Sequence, residues 1–182
     1  MSEELQPSDA AEEVIMCDQV GRVREKINLV DGRLDGETVL YDESGEITQT
    51  INFKDGLMDG EMVFFHKGVM LLRSNYKEGL LEGVSTTFDE DGQPLMQQSY
   101  KNGKLDGDSH WYQPDGKAVK RSQFHENKLE GITVEYYSSG KPHIRSQYKA
   151  NKLDGEVVEY AENGSIKTRV LYREGVLMSD ML

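Results

Sequence analysis

The sequence predicts an all-β protein: an elongated repeat array of about seven antiparallel β-hairpins that form one twisted sheet. Three observations carry this prediction. The first is a motif ending in glycine: Leu34-Asp35-Gly36, Met58-Asp59-Gly60, Leu81-Glu82-Gly83, Leu105-Asp106-Gly107, Leu129-Glu130-Gly131 and Leu153-Asp154-Gly155, in steps of 24, 23, 24, 24 and 24 residues. Self-similarity at a fixed period is the signature of stacked repeats. The second is that each period holds two short extended runs closed by an aromatic and bounded by Gly, Asp, Asn or Ser, which is hairpin punctuation. The third is negative. No 3.6-residue apolar stripe runs far without meeting a glycine, so helix is disfavoured.

In chain order, residues 1–12 read as an acidic, disordered tail, and 13–182 as one repeat domain. The units fall near 13–31, 32–55, 56–78, 79–102, 103–126, 127–150 and 151–174, with a capping tail at 175–182. After each anchor glycine the first run ends at Tyr41, Phe65, Phe88, Tyr112, Tyr136 or Tyr160. A turn glycine follows: Gly45, Gly68, Gly92, Gly116, Gly140 or Gly164. The second run ends at Phe53, Tyr76, Tyr100, Phe124, Tyr148 or Tyr172. Links such as Asp55-Gly56 and Asn102-Gly103 lead onward. Asn127 and Asn151 take a glycine slot there, and Asn is the next best residue for a left-handed backbone. The one missing residue maps between Phe65 and Gly68, in a turn. Counting backwards places Gly21, Leu29 and Gly32 in phase, so Glu13 to Leu29 reads as a degenerate first hairpin with Cys17 in an aromatic slot. Two aromatic ladders backed by Val39, Val63, Val134 and Val158 are the expected thin core.

Composition narrows the function. There are 21 basic and 33 acidic side chains and a net charge of −12. That balance repels phosphate backbones and anionic lipid and favours a basic partner. The single cysteine, Cys17, rules out a disulfide framework within the chain and fits a reducing compartment. No apolar run is long enough for a membrane span, and the start lacks signal-peptide regions, so the expected location is cytoplasmic.

The unit Asp35-Gly36-Glu37-Thr38-Val39-Leu40-Tyr41-Asp42-Glu43-Ser44-Gly45, continuing to Phe53-Lys54-Asp55-Gly56, resembles the MORN-repeat variant. Leu153-Asp154-Gly155-Glu156-Val157-Val158-Glu159-Tyr160, through Gly164, is similar to it as well. These units look like the bacterial version, an antitoxin-like family. The resemblance implies a binding scaffold: an antitoxin or immunity-like protein that neutralises a partner protein, or a membrane-surface or cytoskeletal adaptor.

Catalysis, cofactors and metals find no support in the motifs. The chain lacks a G-x-S-x-G elbow, a P-loop, a dinucleotide fingerprint and an H-E-x-x-H motif. His66, His110, His125 and His143 occupy different places in the repeat and form no column. The recurring acids Asp35, Asp59, Glu82, Asp106, Glu130 and Asp154 are explained by turn hydrogen bonding. A basic column (Lys26, Arg73, Arg121, Arg145, Arg169) and an acidic one (Glu37, Glu61, Asp108, Glu156) read as a cross-paired face rather than a nucleic-acid groove.

The residues that break the repeat point to a partner. One variable column in the first strand reads Leu40, Phe64, Thr87, Trp111, Glu135, Glu159. The second strand gives Thr48, Leu71, Leu95, Val119, His143, Lys167. Large apolar side chains in non-repeat slots mark either a binding patch or the second side of a thin core. The candidate partner-binding set is Phe64, Leu71, Leu95, Trp111, Leu40, Val119 and His143. Tryptophan is the residue type most enriched in binding hot spots. The expected oligomeric state is a monomer or an end-to-end homodimer.

Overall fold

The structure is a computed structural model that describes residues 11–180. It is all-β, with every strand pairing antiparallel and no helix among the described residues. Of the acidic tail at 1–12, expected to be disordered, residues 1–10 lie outside the described residues, while Ala11 and Glu12 are strand residues paired with Val30 and Leu29.

The chain divides into two compact units, Met1–Leu81 and Glu82–Leu182. The first holds β1 (Ala11–Cys17), β2 (Val23–Val30), β3 (Arg33–Leu34), β4 (Gly36–Tyr41), β5 (Ile47–Lys54), β6 (Leu57–His66), β7 (Val69–Lys77) and β8 (Leu80–Leu81). They form a meander in which β2 pairs with β1 on one side and with both β3 and β4 on the other, β3 and β4 being one strand interrupted at Asp35, and β4 to β8 pair in chain order. The second holds β9 (Gly83–Phe88), β10 (Pro94–Lys101), β11 (Lys104–Tyr112), β12 (Ala118–His125), β13 (Lys128–Leu129), β14 (Gly131–Tyr136), β15 (Pro142–Lys149), β16 (Lys152–Tyr160), β17 (Ile166–Arg173) and β18 (Val176–Asp180). It is a meander of the same kind. The eighteen strands among the described residues exceed the fourteen that seven hairpins would give, for two reasons. The anchor motif breaks off the two-residue strands β3, β8 and β13, and the tail forms β18.

Two turn types alternate. The links between units are two-residue hairpin turns with positive φ at both positions, such as Asp55 (50°) with Gly56 (83°) and Ala150 (48°) with Asn151 (68°). This turn type matches the right-handed twist of the strands it joins. The turns inside units are longer: in the Asp42 turn the Gly45 amide donates to the Asp42 carbonyl at 3.2 Å, and Asp42 donates to the Glu46 carbonyl at 2.9 Å. The shortened unit departs from this pattern. There Lys67 (49°) and Gly68 (75°) make a two-residue turn closed by the His66–Val69 pair. The missing residue thus replaces one hairpin type with another and leaves both strands intact.

The anchor motif is where neighbouring hairpins lock. Its acids accept hydrogen bonds from turn amides of the next unit: Asp35 from Asp55 (3.2 Å), Asp59 from Glu78 (3.2 Å), Glu82 from Asn102 (2.8 Å) and Glu130 from Ala150 (2.8 Å). The carbonyls of Leu34, Met58, Leu105, Leu129 and Leu153 accept from the second residue of that turn at 2.8–3.0 Å. Gly155 sits in a strand at φ 118°, and a Cβ there would lie 2.0 Å from Oε1 of Gln147. That amide oxygen instead accepts the Glu156 N–H at 2.9 Å.

The core differs from the expected aromatic ladders. Among the described residues the buried side chains are Thr38, Met62, Val63 and Ser74 in the first unit, and Thr86, Ser109, Ser122, Thr133, Ser146 and Val158 in the second. Both aromatic series are half-buried throughout. A single-layer sheet has no facing layer to cover the outer edge of a ring, whereas a short side chain between taller neighbours is covered fully. Of the four expected supporting valines, Val63 and Val158 are buried, and Val39 and Val134 are half-buried.

Candidate protein-interaction face

Side chains directly opposite one another in a ladder share a face. The pairs Leu40–Gln49, Gln49–Phe64 and Phe64–Leu72 therefore put Leu40, Phe64 and Leu72 on one face of the first unit. In the second unit Thr87–Met96, Met96–Trp111, Trp111–Lys120, Lys120–Glu135, Glu135–Ile144 and Ile144–Glu159 define the corresponding face. The aromatics Tyr41 to Tyr160 point to the opposite face, one residue further along each strand.

The second variable column has a structural meaning that its sequence hid. Next to each intra-unit turn the register slips by one. Tyr41 pairs with Ile47 but Leu40 pairs with Gln49, which leaves Thr48 without an opposite residue. Leu71, Leu95, Val119, His143 and Lys167 hold the same unpaired place. They are β-bulge residues, and a bulge re-aims a side chain. The aim is visible at one end of the second unit. Lys167 Nζ lies 3.0 Å and His143 Nε2 3.6 Å from Glu159 Oε1, so bulge residues meet the first variable column. The Thr48 hydroxyl likewise donates to the Leu40 carbonyl at 3.3 Å.

Each unit thus gathers its own set. In the first are Leu40, Phe64 and Leu71, with Phe64 41 % exposed. In the second are Leu95, Trp111 and Val119, with Val119 38 % exposed, and His143 among the charged residues. Trp111 is half-buried, and the Lys120 ammonium stands 5.6 Å from its ring centroid. Such a cation over an exposed ring contributes about 0.5–1 kcal/mol. Sequence reasoning missed Leu72, Met96 and Lys120, the direct partners of Phe64 and Trp111. The signal was the apolar run Met70-Leu71-Leu72, legible only once the bulge shifts its phase.

Charge follows the geometry. Glu159 is held below the ordinary carboxylate range, first by the Lys167 hydrogen bond, and Lys167 is raised by the same contact. On the tyrosine face Arg121 pairs with Asp108 at 2.9 Å and Arg73 with Glu61 at 3.8 Å, two of the expected cross-pairings. Lys26 instead stands 6.0 Å from the Tyr41 ring centroid. The four histidines are dispersed, and among the described residues no group of three or more His, Cys, Asp or Glu side chains could hold a metal ion. His125 Nδ1 meets Asp106 Oδ2 at 2.8 Å, and the same oxygen accepts the Glu126 turn amide at 3.3 Å, as the anchor acids of other units do. Cys17 is an exposed free thiol. No helix among the described residues is long and apolar enough to cross a membrane.

A family model described as the MORN repeat variant matches residues 34–55, 81–102, 129–150 and 153–174. The chain is a MORN-variant repeat protein. The stretches that the MORN model leaves unmatched include the shortened Lys67-Gly68 turn and hold Phe64, Leu71, Trp111 and Val119, whereas Leu40, Leu95 and His143 lie in matched repeats. MORN repeats build protein-interaction scaffolds, and this chain is a repeat scaffold of that kind. No curated protein matches it. Among solved structures it is similar to the crystal structure of a GtfA/B complex bound to UDP and GlcNAc, at 13% identity and a TM-score of 0.28. That likeness covers 63% of this chain and 22% of that one.

Proposed function

We propose that this MORN-variant chain is a non-enzymatic, cytoplasmic antitoxin or immunity-like protein that binds and neutralises a basic partner protein. The observation that carries the reading is the set of large apolar side chains at non-repeat and bulge positions of an open sheet face. Trp111, Val119 and Leu95 would anchor the partner in the second unit, and Phe64, Leu71 and Leu40 in the first. The repeat itself does not need these side chains, since other units carry Thr87, Glu135 and Glu159 in the same slot. His143, paired with Glu159, would belong to a polar rim. The net charge of −12 suits a basic partner.

Immobilised wild-type chain and a Trp111→Ala variant with unchanged circular dichroism are exposed to the native cell extract. The reading expects a basic protein that the variant captures at least tenfold less well. Equal capture would remove the patch. Expressing the captured protein alone should arrest growth, and co-expression should restore it; a harmless partner would leave a scaffold without neutralisation.

A membrane-surface or cytoskeletal adaptor is the second reading, favoured by one observation. Lys26 and Arg145 of the basic column have no ion-pair partner among the described residues. Salt-sensitive co-sedimentation with anionic vesicles would support it.

A further inference from the structure

On the tyrosine face of the second unit, an open slot of 520 Å³ lies between consecutive hairpins. Val134, Pro142 and Tyr160 give it apolar walls, and Arg145 and Lys141 supply its charge. Among the described residues no carboxylate lines it, in a chain with 33 acidic residues. Lys141 Nζ donates to the Glu162 carbonyl at 2.8 Å, which fixes the ammonium at the rim. Arg145 has no ion-pair partner among the described residues, although Arg121 in the preceding unit is paired with Asp108. The difference has a sequence cause: Ile132 stands where Asp108 stands one unit earlier.

The slot has a counterpart at the same repeat positions of another hairpin. In the first unit a slot of 260 Å³ is lined by Arg22, Val23, Lys26 and Tyr41, the same repeat positions as Lys141, Pro142, Arg145 and Tyr160. Arg22 Nη1 donates to the Glu43 carbonyl at 3.1 Å, as Lys141 does to Glu162. There, however, Arg22 is already neutralised by Asp18 at 2.8 Å. The smaller slot is therefore the blunted copy, and the one at Arg145 the open one.

We propose that the Arg145 slot binds a carboxylate carried on an apolar or aromatic body. A guanidinium presents a planar fork that matches a carboxylate in two parallel hydrogen bonds. Val134, Pro142 and Tyr160 form the wall against which an apolar body packs. A polyanion such as a nucleotide is disfavoured, because two cations face its charge inside a chain of net −12. The slot lies on the face opposite Trp111, so its failure and the failure of the protein-interaction face are separate results.

The test is two-dimensional NMR titration of the full chain, read at the Tyr160 ring and the Pro142 and Arg145 signals. The probes are 3-phenylpropionate, N-acetylglycyl-phenylalanine with a free carboxylate, and the amide of the latter. Both acids should produce saturable shifts confined to this slot, with the amide at least tenfold weaker. The tighter acid then tells a free small molecule from the end of a partner's chain. Arg145→Gln should weaken binding at least tenfold while the remaining spectrum stays dispersed. If that variant fails to fold, Lys141→Gln at the exposed rim should weaken binding at least threefold. No saturable shift at Tyr160, equal binding of the amide, or unchanged affinity in the folded variants would overturn the assignment.

Discussion

Single residues carry the geometry of the repeat, and the anchor glycines are the sharpest case. Gly155 needs both a positive φ of 118° and the space that Gln147 fills; its absent Cβ would fall 2.9 Å from the Gln147 Cβ as well as against the amide oxygen. Gly164, at φ 85°, has nothing within 4 Å of its Cβ position. Gly155→Ala should therefore cost about 2–4 kcal/mol, strain plus displacement of a side chain that satisfies a backbone donor. Gly164→Ala should cost only the conformational strain, about 1–2 kcal/mol. Chemical denaturation of both variants checks the order, and equal losses would contradict it. The turn acids give a prediction in pH. The Asp42 carboxylate accepts from the Ser44 hydroxyl at 2.6 Å and from the Glu46 amide at 3.0 Å, which holds its pKa below the usual 3.8. Asp18 and Asp115 are lowered too, first by the Arg22 amide and the Lys117 side chain. A depressed carboxylate stabilises the fold above its unfolded pKa, and that contribution is lost as pH falls through the folded value. Stability should thus fall on acidification below pH about 4. Lys167 has the opposite sign: its contribution holds below 10.5 and disappears as pH rises through its raised value. Carboxyl carbon NMR should show Asp42 titrating below the exposed aspartates, and in Ser44→Ala closer to them.

At the scale of the hairpin, the sequence was most legible where backbone conformation dictates residue type. The second position of these turns takes only Gly or Asn, whereas the first, near φ 50°, also takes Asp, Glu, Lys and Ala; the turns and their exchange at Asn127 and Asn151, left-handed at 66° and 68°, could therefore be placed by period alone. Their side chains add something a glycine lacks. Asn151 Oδ1 accepts the Leu129 amide at 2.7 Å and so ties one hairpin to the next. Asn151→Gly should keep the turn but lose about 0.5–1.5 kcal/mol with that bond. Asn151→Ala should lose about 1–2 kcal/mol more, because Ala resists the left-handed region. A thermal melt that ranks the glycine variant below the alanine variant would refute this account. The bulges, in contrast, were not legible. A period of 24 residues fixes which positions recur, but an extra residue in one strand shows only in the pairing, as at Val119. That slip brings the two variable columns onto one face, and so the candidate set could be named from sequence before its members could be joined. Burial was misjudged for a related reason. Aromatic identity signals stacking, but only the number of layers decides whether a ring is covered, and here Ser122, at 0% exposure, is buried more deeply than the half-buried Tyr136.

At the scale of the whole molecule, charge and shape make separate demands on a partner, and kinetics can part them. The 33 acids against 21 bases set a long-range field, whereas Trp111, Val119 and Phe64 act only on contact. Screening shortens that field: the Debye length falls from about 10 Å at 0.1 M salt to about 3 Å at 1 M. For the partner captured through the Trp111 face, the association rate should drop at least tenfold across that range while dissociation changes little. Trp111→Ala should do the reverse, raising the dissociation rate and leaving association near its wild-type value, because truncating a contact residue shortens residence rather than slowing encounter. Surface plasmon resonance at several salt concentrations measures both rates. A salt-independent association rate would remove charge steering from the account while leaving the apolar anchor in place. A Trp111→Ala variant that dissociates like wild type would remove the anchor and leave only the charge.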